Sequence, residues 1–187
     1  MISQLISEDN RIEIGTGTYA TGTPLLRPHH PWNKIIIGNY CSLAEGVSIF
    51  AGGNHPLDFI TTHPLKLFLG IAEFDSWSSD CGDAAAVTTI GNDVWIGHEA
   101  CILSGANVGD GVIIGARSVV RGEIPPYAIV IGNPAQIIRF RFDEETISKL
   151  LTIKWWNWSL NKIRENVALI GSRNIQHFLN LNTSDNP

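Results

Sequence analysis

Residues 90–125 read IGNDVWIGHEACILSGANVGDGVIIGARSVVRGEIP, and one template repeats along them every six positions. An aliphatic residue begins each group of six, a glycine often follows it, and the fifth position is small or β-branched. The leading positions are Ile90, Ile96, Ile102, Val108, Ile114 and Val120. The fifth positions are Val94, Ala100, Ala106, Val112, Ser118 and Ile124.

A period of six predicts a parallel β-helix. It matches neither the period of about 3.6 of an amphipathic helix nor the two-residue alternation of a simple strand. In a β-helix each group of six is a short strand plus a corner, and three groups close one triangular coil. The leading aliphatic residue then points inward, and the glycine allows unusual φ/ψ or close backbone approach. An open α/β sheet would need helical connections of about ten residues or more, for which this repeat leaves no room.

Composition restricts the class of protein. With 187 residues and 44% hydrophobic content we expect about one domain. A net charge of −5 argues against a nucleic-acid-binding surface. The chain lacks a basic start followed by an apolar run and has no membrane-length apolar stretch, so we expect a cytoplasmic protein without a membrane span. Cys41, Cys81 and Cys101 lack metal-type spacing, and Cys41 lies at a fifth position, which predicts a buried thiol.

Breaks in the repeat define the predicted domain organisation. We expect an all-β solenoid over residues 1–142, with inserted loops at 19–34 and 52–88, and a helical extension over 143–187. The first loop contains three prolines, and Pro125-Pro126-Tyr127 is expected to end the repeat. Loops as long as the second are usually functional.

The helical extension has recognisable start signals. Asp143 is a predicted N-cap, followed by acidic residues and apolar positions at helical spacing, and Ser159 is expected to cap a second helix. A short third helix is predicted around residues 175–179. We expect these helices to cap the open end of the solenoid, which otherwise exposes strand edges.

These motifs resemble a known family. Residues 90–142 resemble the hexapeptide-repeat acyltransferases, and GNHPLDFITTHPL (53–65) and EETISKLLTIKWWNWS (144–159) are similar to the xenobiotic acetyltransferase branch. That branch includes chloramphenicol and streptogramin acetyltransferases and O-acetyltransferases of surface-polysaccharide clusters. The resemblance covers about residues 35–165. It implies a left-handed β-helix, against the usual right-handed rule, a homotrimer with active sites between subunits, and acetyl-CoA as co-substrate.

Acetyl transfer to a hydroxyl needs a base, and histidine is suited to this because it is mostly neutral at pH 7. His55 follows Gly52-Gly53-Asn54 where the repeat breaks, and the family's catalytic histidine occupies this position. The implied mechanism is direct attack on the thioester without an acyl-enzyme. His63 is the alternative base. His29 and His30 are expected at the surface or in an acceptor pocket.

Three residues are candidates for binding the acceptor. Trp95 is at a sixth position and should point outward, where it contacts either the acceptor or another subunit. Asp58 either orients His55, binds a sugar hydroxyl or forms a turn. Tyr19 lies at the start of the first predicted loop.

Acetyl-CoA binding is implied by the same resemblance for the later coils. N–H groups near His98 and Ala116 would bond the pantetheine arm, with the N–H of Gly97 or His98 facing the oxyanion. Many relatives carry Ser at the position of His98. The residues that align with the adenosine-phosphate end are Arg121, Gly122, Gln136 and Arg139.

Residues 115–141 hold four arginines against one acidic residue, and guanidinium groups suit phosphates. The family often has Lys at the position of Gly122 and Arg at that of Gln136, so this chain departs from the pattern there. The four arginines are Arg117, Arg121, Arg139 and Arg141.

The acceptor is less well defined. HPLDFITTHPL is closer to the saccharide members of the family, so a sugar or polysaccharide precursor is favoured over an antibiotic such as chloramphenicol, and a hydroxyl over an amine. A zinc-dependent, carbonic-anhydrase-like β-helix is a further alternative, but His98 is the single histidine within 90–125 and no metal is expected. A non-catalytic trimeric scaffold, which would not bind acetyl-CoA, is the last alternative.

Overall fold

The computed structural model describes residues 4–71, 73 and 86–182. Its strands are β1 Ile12–Ile14, β2 Tyr19–Ala20, β3 Leu25–Pro28, β4 Lys34–Ile37, β5 Ser42–Leu43, β6 Ser48–Ala51, β7 Val87–Ile90, β8 Trp95–Ile96, β9 Cys101–Ile102, β10 Asn107–Val108, β11 Ile113–Ile114, β12 Val119–Val120, β13 Glu123–Ile124, β14 Ala128–Gly132 and β15 Ala135–Phe140. They follow one another around three sheets, which we call A, B and C, with strand orders β1-β4-β7-β10-β13, β15-β14-β11-β8-β5-β2 and β12-β9-β6-β3.

The core of the solenoid consists of the repeat positions that the sequence places inside. Ile96 of β8 pairs in parallel with Leu43 on one side and Ile114 on the other, so equivalent aliphatic residues stack from coil to coil. All three are at most 1% exposed. The fifth positions, such as Ala100 and Ala106, are fully buried at the corners. The predicted parallel β-helix is therefore confirmed.

Glycines at the second repeat position allow successive coils to approach closely. A Cβ on Gly38 would lie 2.6 Å from the carbonyl oxygen of Gly91, and a Cβ on Gly91 would lie 2.7 Å from the backbone nitrogen of Asp110. Neither glycine has a positive φ. Close approach, rather than special backbone conformation, is therefore the reason for glycine here.

Side-chain amides and a carboxylate satisfy the backbone at the corner that follows sheet A. The Asn39 Oδ1 accepts the N–H of Thr16 at 2.8 Å, and the Asn92 Oδ1 accepts the N–H of Asn39 at 2.8 Å. The Asp110 Oδ1 accepts the N–H of Asn92 at 2.7 Å. This ladder joins four coils and pairs donors that a corner would otherwise leave unsatisfied.

The first coil is more complete than the sequence predicts. The predicted loop over 19–34 is wrong, because β2 and β3 lie within it and pair in parallel with β5 and β6. Both are the outermost strands of their sheets, and proline is tolerated on an edge strand because one side of the strand has no ladder partner. Here Pro28 is the last residue of β3.

The repeat also continues further than predicted. Ile124 pairs with Val108, so it is a leading aliphatic residue and not a fifth position. The preceding corner is shorter than its counterpart in the previous coil, which shifts the period. Pro125-Pro126-Tyr127 does not end the repeat but forms a corner of a fifth coil, whose Ala128 and Val130 are fully buried. The antiparallel strand β15 then pairs with β14.

The helical segments begin where the capping signals predict. The Asp143 Oδ1 accepts the N–H of Thr146 at 2.8 Å, and the Ser159 Oγ accepts the N–H of Lys162 at 3.3 Å. Within the described part of the chain, none of the helices has the length and hydropathy needed to cross a membrane. The helices are α1 Leu65–Phe68, α2 Glu144–Ile153, the 3₁₀ segment Trp155–Asn157, α3 Leu160–Ile170 and α4 Ile175–Asn182.

The helices lie along the side of the solenoid, and the described contacts contradict the predicted end cap. Tyr40 of the second coil packs against Trp155 with ring centroids 5.2 Å apart, and the Asn39 amide donates to the Trp156 carbonyl at 3.2 Å. Tyr127 of the fifth coil belongs to the same buried cluster. The corner after sheet A presents aromatic rings outward, and the helices cover these rings.

The described cysteines are free thiols, as predicted for Cys41. Cys41 is fully buried, with Sγ 3.1 Å from the Gly91 carbonyl oxygen, and burial raises the pKa of its thiol to about 11. Cys101 is half-buried on strand β9. Cys81 lies outside the described residues.

Replacing Gly91 with Ala should destabilise the solenoid, since its Cβ would overlap the backbone of the next coil. Overpacking of this kind costs about 1–3 kcal/mol, and each kcal/mol lowers Tm by about 2–4 °C in a chain of this size. Gly22→Ala is the matched control, because its Cβ would meet the flexible Glu45 side chain at 3.1 Å. Equal thermal unfolding curves for the two variants would contradict this packing account.

Candidate active site

The long loop leaves the solenoid at the corner that follows sheet C, between the second and third coils. Strand β6 ends at Ala51, and Gly52 and Gly53 follow with φ of +74° and +85°, which favour glycine. His55 comes two residues later and is exposed, whereas Pro56 beside it is buried. Strand β7 begins at Val87, slightly before the predicted end of the loop. The candidate base therefore lies next to rigid structure.

The His55 ring is oriented by a backbone carbonyl. Its Nδ1 lies 2.6 Å from the carbonyl oxygen of Thr62. Because a carbonyl can only accept, Nδ1 must carry the proton, and Nε2 is the acceptor in the neutral ring. A general base needs this form. No side-chain pattern points to Thr62, since its contribution comes from the main chain.

The other histidines have different surroundings. The exposed His63 ring meets Phe68 edge-on at 5.7 Å, and the backbone N–H of His63 donates to the Thr61 hydroxyl. The predicted surface position of His30 is wrong: it is 2% exposed and stacks on Trp32 at 5.3 Å, because residues 25–33 belong to the first coil and the turn after it. His29 stacks on Phe50 at 6.2 Å.

A pocket of about 420 Å³ adjoins the start of the loop. It runs along the corner that follows sheet C and spans the first four coils. Arg121 is the one arginine in its lining, at the side opposite His29. The lining residues are His29, Phe50, Gly52, Gly53, Asn54, Leu103, Ser104 and Arg121.

The acceptor-binding candidates are separated from one another. Trp95 is 55% exposed on the outer face of sheet B, which confirms its outward direction. Tyr19 lies on the same sheet, with Ser42 pairing between them. Asp58 is exposed in the loop and makes no hydrogen bond or ion pair with the described residues. The Thr62 carbonyl, rather than Asp58, holds the Nδ1 of His55.

The corner that follows sheet B carries the candidates for binding pantetheine. The N–H of Gly97 donates to the Ile114 carbonyl at 2.8 Å, so the predicted oxyanion contact through Gly97 is wrong. His98 and Ala116 are exposed, and their N–H groups donate no hydrogen bond within the described part of the chain. Two N–H groups without a partner among the described residues suit the carbonyl oxygens of a pantetheine arm.

Two of the four arginines are engaged in ion pairs. The Arg117 Nε lies 2.7 Å from Glu99 Oε2, and its hydrogen bond lowers the pKa of the Glu99 carboxyl. The other carboxylate oxygen lies 3.3 Å from His98 Nε2. Arg141 Nη1 lies 3.3 Å from an Asp93 carboxylate oxygen and also donates to the Gly111 carbonyl at 2.7 Å. Burial raises the pKa of the Asp93 carboxyl. Of the four arginines proposed for phosphate binding, Arg121 and Arg139 are therefore the two that form no ion pair within the described residues.

The candidates for the adenosine-phosphate end fall in two places. Gln136 and Arg139 are exposed on β15, at the edge of sheet B. Arg121 and Gly122 lie at the corner that follows sheet C, with His55. A single chain therefore does not bring His55 together with His98, Ala116 and the β15 residues. No group of three or more metal-ligating side chains occurs within residues 4–71, 73 and 86–182.

Known proteins match this chain in sequence. Residues 88–122 match the family described as bacterial transferase hexapeptide (six repeats). The chloramphenicol acetyltransferase of Morganella morganii is 39% identical over 94% of this chain and 89% of its own length. This chain belongs to the hexapeptide-repeat acetyltransferases. The chloramphenicol acetyltransferase of Klebsiella aerogenes is 45% identical over 76% of this chain and 69% of its own length.

A solved relative supports the same conclusion. A galactoside acetyltransferase in complex with coenzyme A superposes with a TM-score of 0.54 at 28% identity, over 73% of this chain. The chain spans 58% of that solved chain. The protein is thus an acetyltransferase with acetyl-CoA as co-substrate, which removes the scaffold alternative.

The orientation of His55 leads to a direct prediction. In ¹⁵N-labelled protein with neutral histidine rings, His55 should show the NMR pattern of an imidazole protonated at Nδ1, because the Thr62 carbonyl accepts that proton. A His63→Ala variant lacks the ring signals of His63, so comparison of the two spectra separates the signals of His55 from those of His63. A pattern protonated at Nε2 for His55 would contradict the geometry.

Proposed function

We propose that the enzyme moves the acetyl group of acetyl-CoA to a hydroxyl of a small acceptor, with His55 as general base. The observation that carries the proposal is the hydrogen bond from His55 Nδ1 to the Thr62 carbonyl, which makes Nε2 the acceptor. Nε2 removes the hydroxyl proton while the oxygen attacks the thioester carbonyl. The imidazolium then returns the proton to the departing thiolate, and no acyl-enzyme forms. Kinetics should therefore be sequential.

The proposed active site lies between subunits of a homotrimer of left-handed solenoids. Support comes from the separation of the candidates on one chain. His55 and Arg121 lie at the corner after sheet C, whereas His98, Ala116 and Arg139 lie at the corner after sheet B or on β15. A second chain whose sheet B corner faces the loop would complete the set. The N–H groups of His98 and Ala116 would bind the pantetheine arm there.

We propose an apolar, antibiotic-like acceptor of the chloramphenicol type. The loop around His55 exposes large apolar side chains, including Leu57 at 94%, Ile60 at 109% and Phe68 at 76%. Such a surface gains free energy when it covers an apolar ligand or another subunit. The relatives at 39% and 45% identity are named chloramphenicol acetyltransferases. These observations outweigh the resemblance of HPLDFITTHPL to saccharide enzymes.

A sugar hydroxyl is the second candidate. The relative solved with coenzyme A is a galactoside acetyltransferase. The loop also presents polar groups near His55, namely Asp58, Thr61 and Thr62, all of them exposed. Trp95 offers an exposed ring on which a sugar could stack.

Substitution of His55 by Ala should lower kcat by about 10²–10⁴-fold, the usual contribution of general-base catalysis. Acetyl-CoA should still stabilise the variant against heat, because the base is not part of the proposed pantetheine contacts. The matched control is His63→Ala, in the same loop, which should keep wild-type turnover. An active His55→Ala enzyme, measured by thiol release, would refute the assignment.

The acceptor is tested by comparing chloramphenicol with a galactoside and a nucleotide sugar at saturating acetyl-CoA. We expect kcat/KM for chloramphenicol to be at least about tenfold higher, since roughly 1.4 kcal/mol of additional apolar contact in the transition state is sufficient. A higher kcat/KM for either sugar would favour the second candidate.

A further inference from the structure

The loop that carries His55 is attached to the solenoid at a single corner. In an uninterrupted repeat, backbone groups at each corner pair with those of the neighbouring coil. Between Ala51 and Val87 the chain instead departs from the corner and returns to it. Two side-chain hydroxyls, those of Ser104 and Thr88, form hydrogen bonds with the backbone here. One fixes the departing end of the loop and the other fixes the returning end.

The departing end is held by Ser104 of the third coil. The Ser104 Oγ accepts the N–H of Gly52 at 2.7 Å. Gly52 also rests on the buried Asn33, whose Oδ1 occupies the space that a Cβ would need. Gly53 rests on the His29 ring in the same way. The first two residues of the loop therefore have a fixed position.

The returning end is held by Thr88, which is fully buried. Its hydroxyl donates to the Phe50 carbonyl at 2.6 Å and accepts the N–H of Gly105 at 3.0 Å. Thr88 thus joins the strand before the loop, the strand after it and the corner that ends the third coil. Because Ser104 and Gly105 are adjacent, one corner fixes both ends of the loop.

We propose that Ser104 and Thr88 are positioning residues for the catalytic base. They act through the backbone at Gly52 and Phe50, and His55 follows Gly52 by three residues. This inference rests on the proposed role of His55. Misplacing a catalytic group by about 1 Å can reduce the rate by about 10²-fold, so loss of either hydroxyl should affect turnover more than binding.

The test uses Ser104→Ala and Thr88→Val in the full-length enzyme, with acetyl-CoA and whichever of chloramphenicol or the galactoside is turned over. We expect kcat to fall by about 10- to 100-fold, with KM for acetyl-CoA changed less than about twofold. Hydrogen exchange of residues 52–62 should accelerate. Ser104→Thr and Thr88→Ser, which keep the hydroxyl, should retain most of the activity even if the first pair folds poorly.

Matched controls remove the same kind of bond elsewhere in the solenoid. The Ser118 Oγ accepts the N–H of Gly132 at 3.1 Å. The Thr18 hydroxyl donates to the Gly38 carbonyl at 2.7 Å and accepts the N–H of Cys41 at 2.9 Å. Ser118→Ala and Thr18→Val should lose comparable thermal stability but keep kcat.

The outcomes separate this inference from the proposed function. Wild-type kcat in Ser104→Ala and Thr88→Val, with an inactive His55→Ala enzyme, overturns the positioning role and leaves the base assignment intact. An equal fall of kcat in the control variants overturns it as well, because the effect would then reflect general stability. An active His55→Ala enzyme instead refutes the proposed function.

Discussion

The close approach of successive coils is the constraint on which this structure depends. Backbones stacked at the separation of neighbouring strands, about 4.8 Å, leave no space for a Cβ at the contact points, and Gly38 and Gly91 provide it. The inward aliphatic residues then stack in continuous columns. Because every coil repeats this arrangement, the three faces and three corners are defined along the whole solenoid.

Such a scaffold allows insertions only at its corners, and the functional loop leaves from one of them. The rigid corner after sheet C supplies a fixed point from which His55 projects, and the Thr62 carbonyl sets its tautomer. The candidates for binding CoA lie at another corner and on β15. Because His55 and the candidates for binding CoA lie at different corners of one chain, the proposed site requires a second chain.

Much of the fold followed from the sequence because the position of a residue in the repeat indicates whether its side chain is buried. The period located the core, Asp143 and Ser159 marked helix starts, and Trp95 pointed outward as expected. Only the second and third strands of the first coil, β2 and β3, were taken for a loop, because their residues do not follow the template. Ile124 was assigned to the wrong position because a shortened corner changes register without changing composition.

The site was less predictable for a physical reason. His55 could be recognised by its place in the chain, but its orientation depends on a main-chain carbonyl, which leaves no side-chain pattern. The same applies to Gly97, whose N–H belongs to the ladder between coils and is not available to a ligand. The ion pairs of Arg117 and Arg141 likewise depend on partners distant in sequence.

The most direct test of the central claim is a crystal structure with coenzyme A and an acceptor bound. His55 Nε2 should lie within hydrogen-bond distance of the acceptor hydroxyl, with the coenzyme A sulfur nearby. The pantetheine arm should lie against His98 and Ala116 of a neighbouring chain. A His55 ring turned away from the acceptor, or a site formed within one chain, would contradict it.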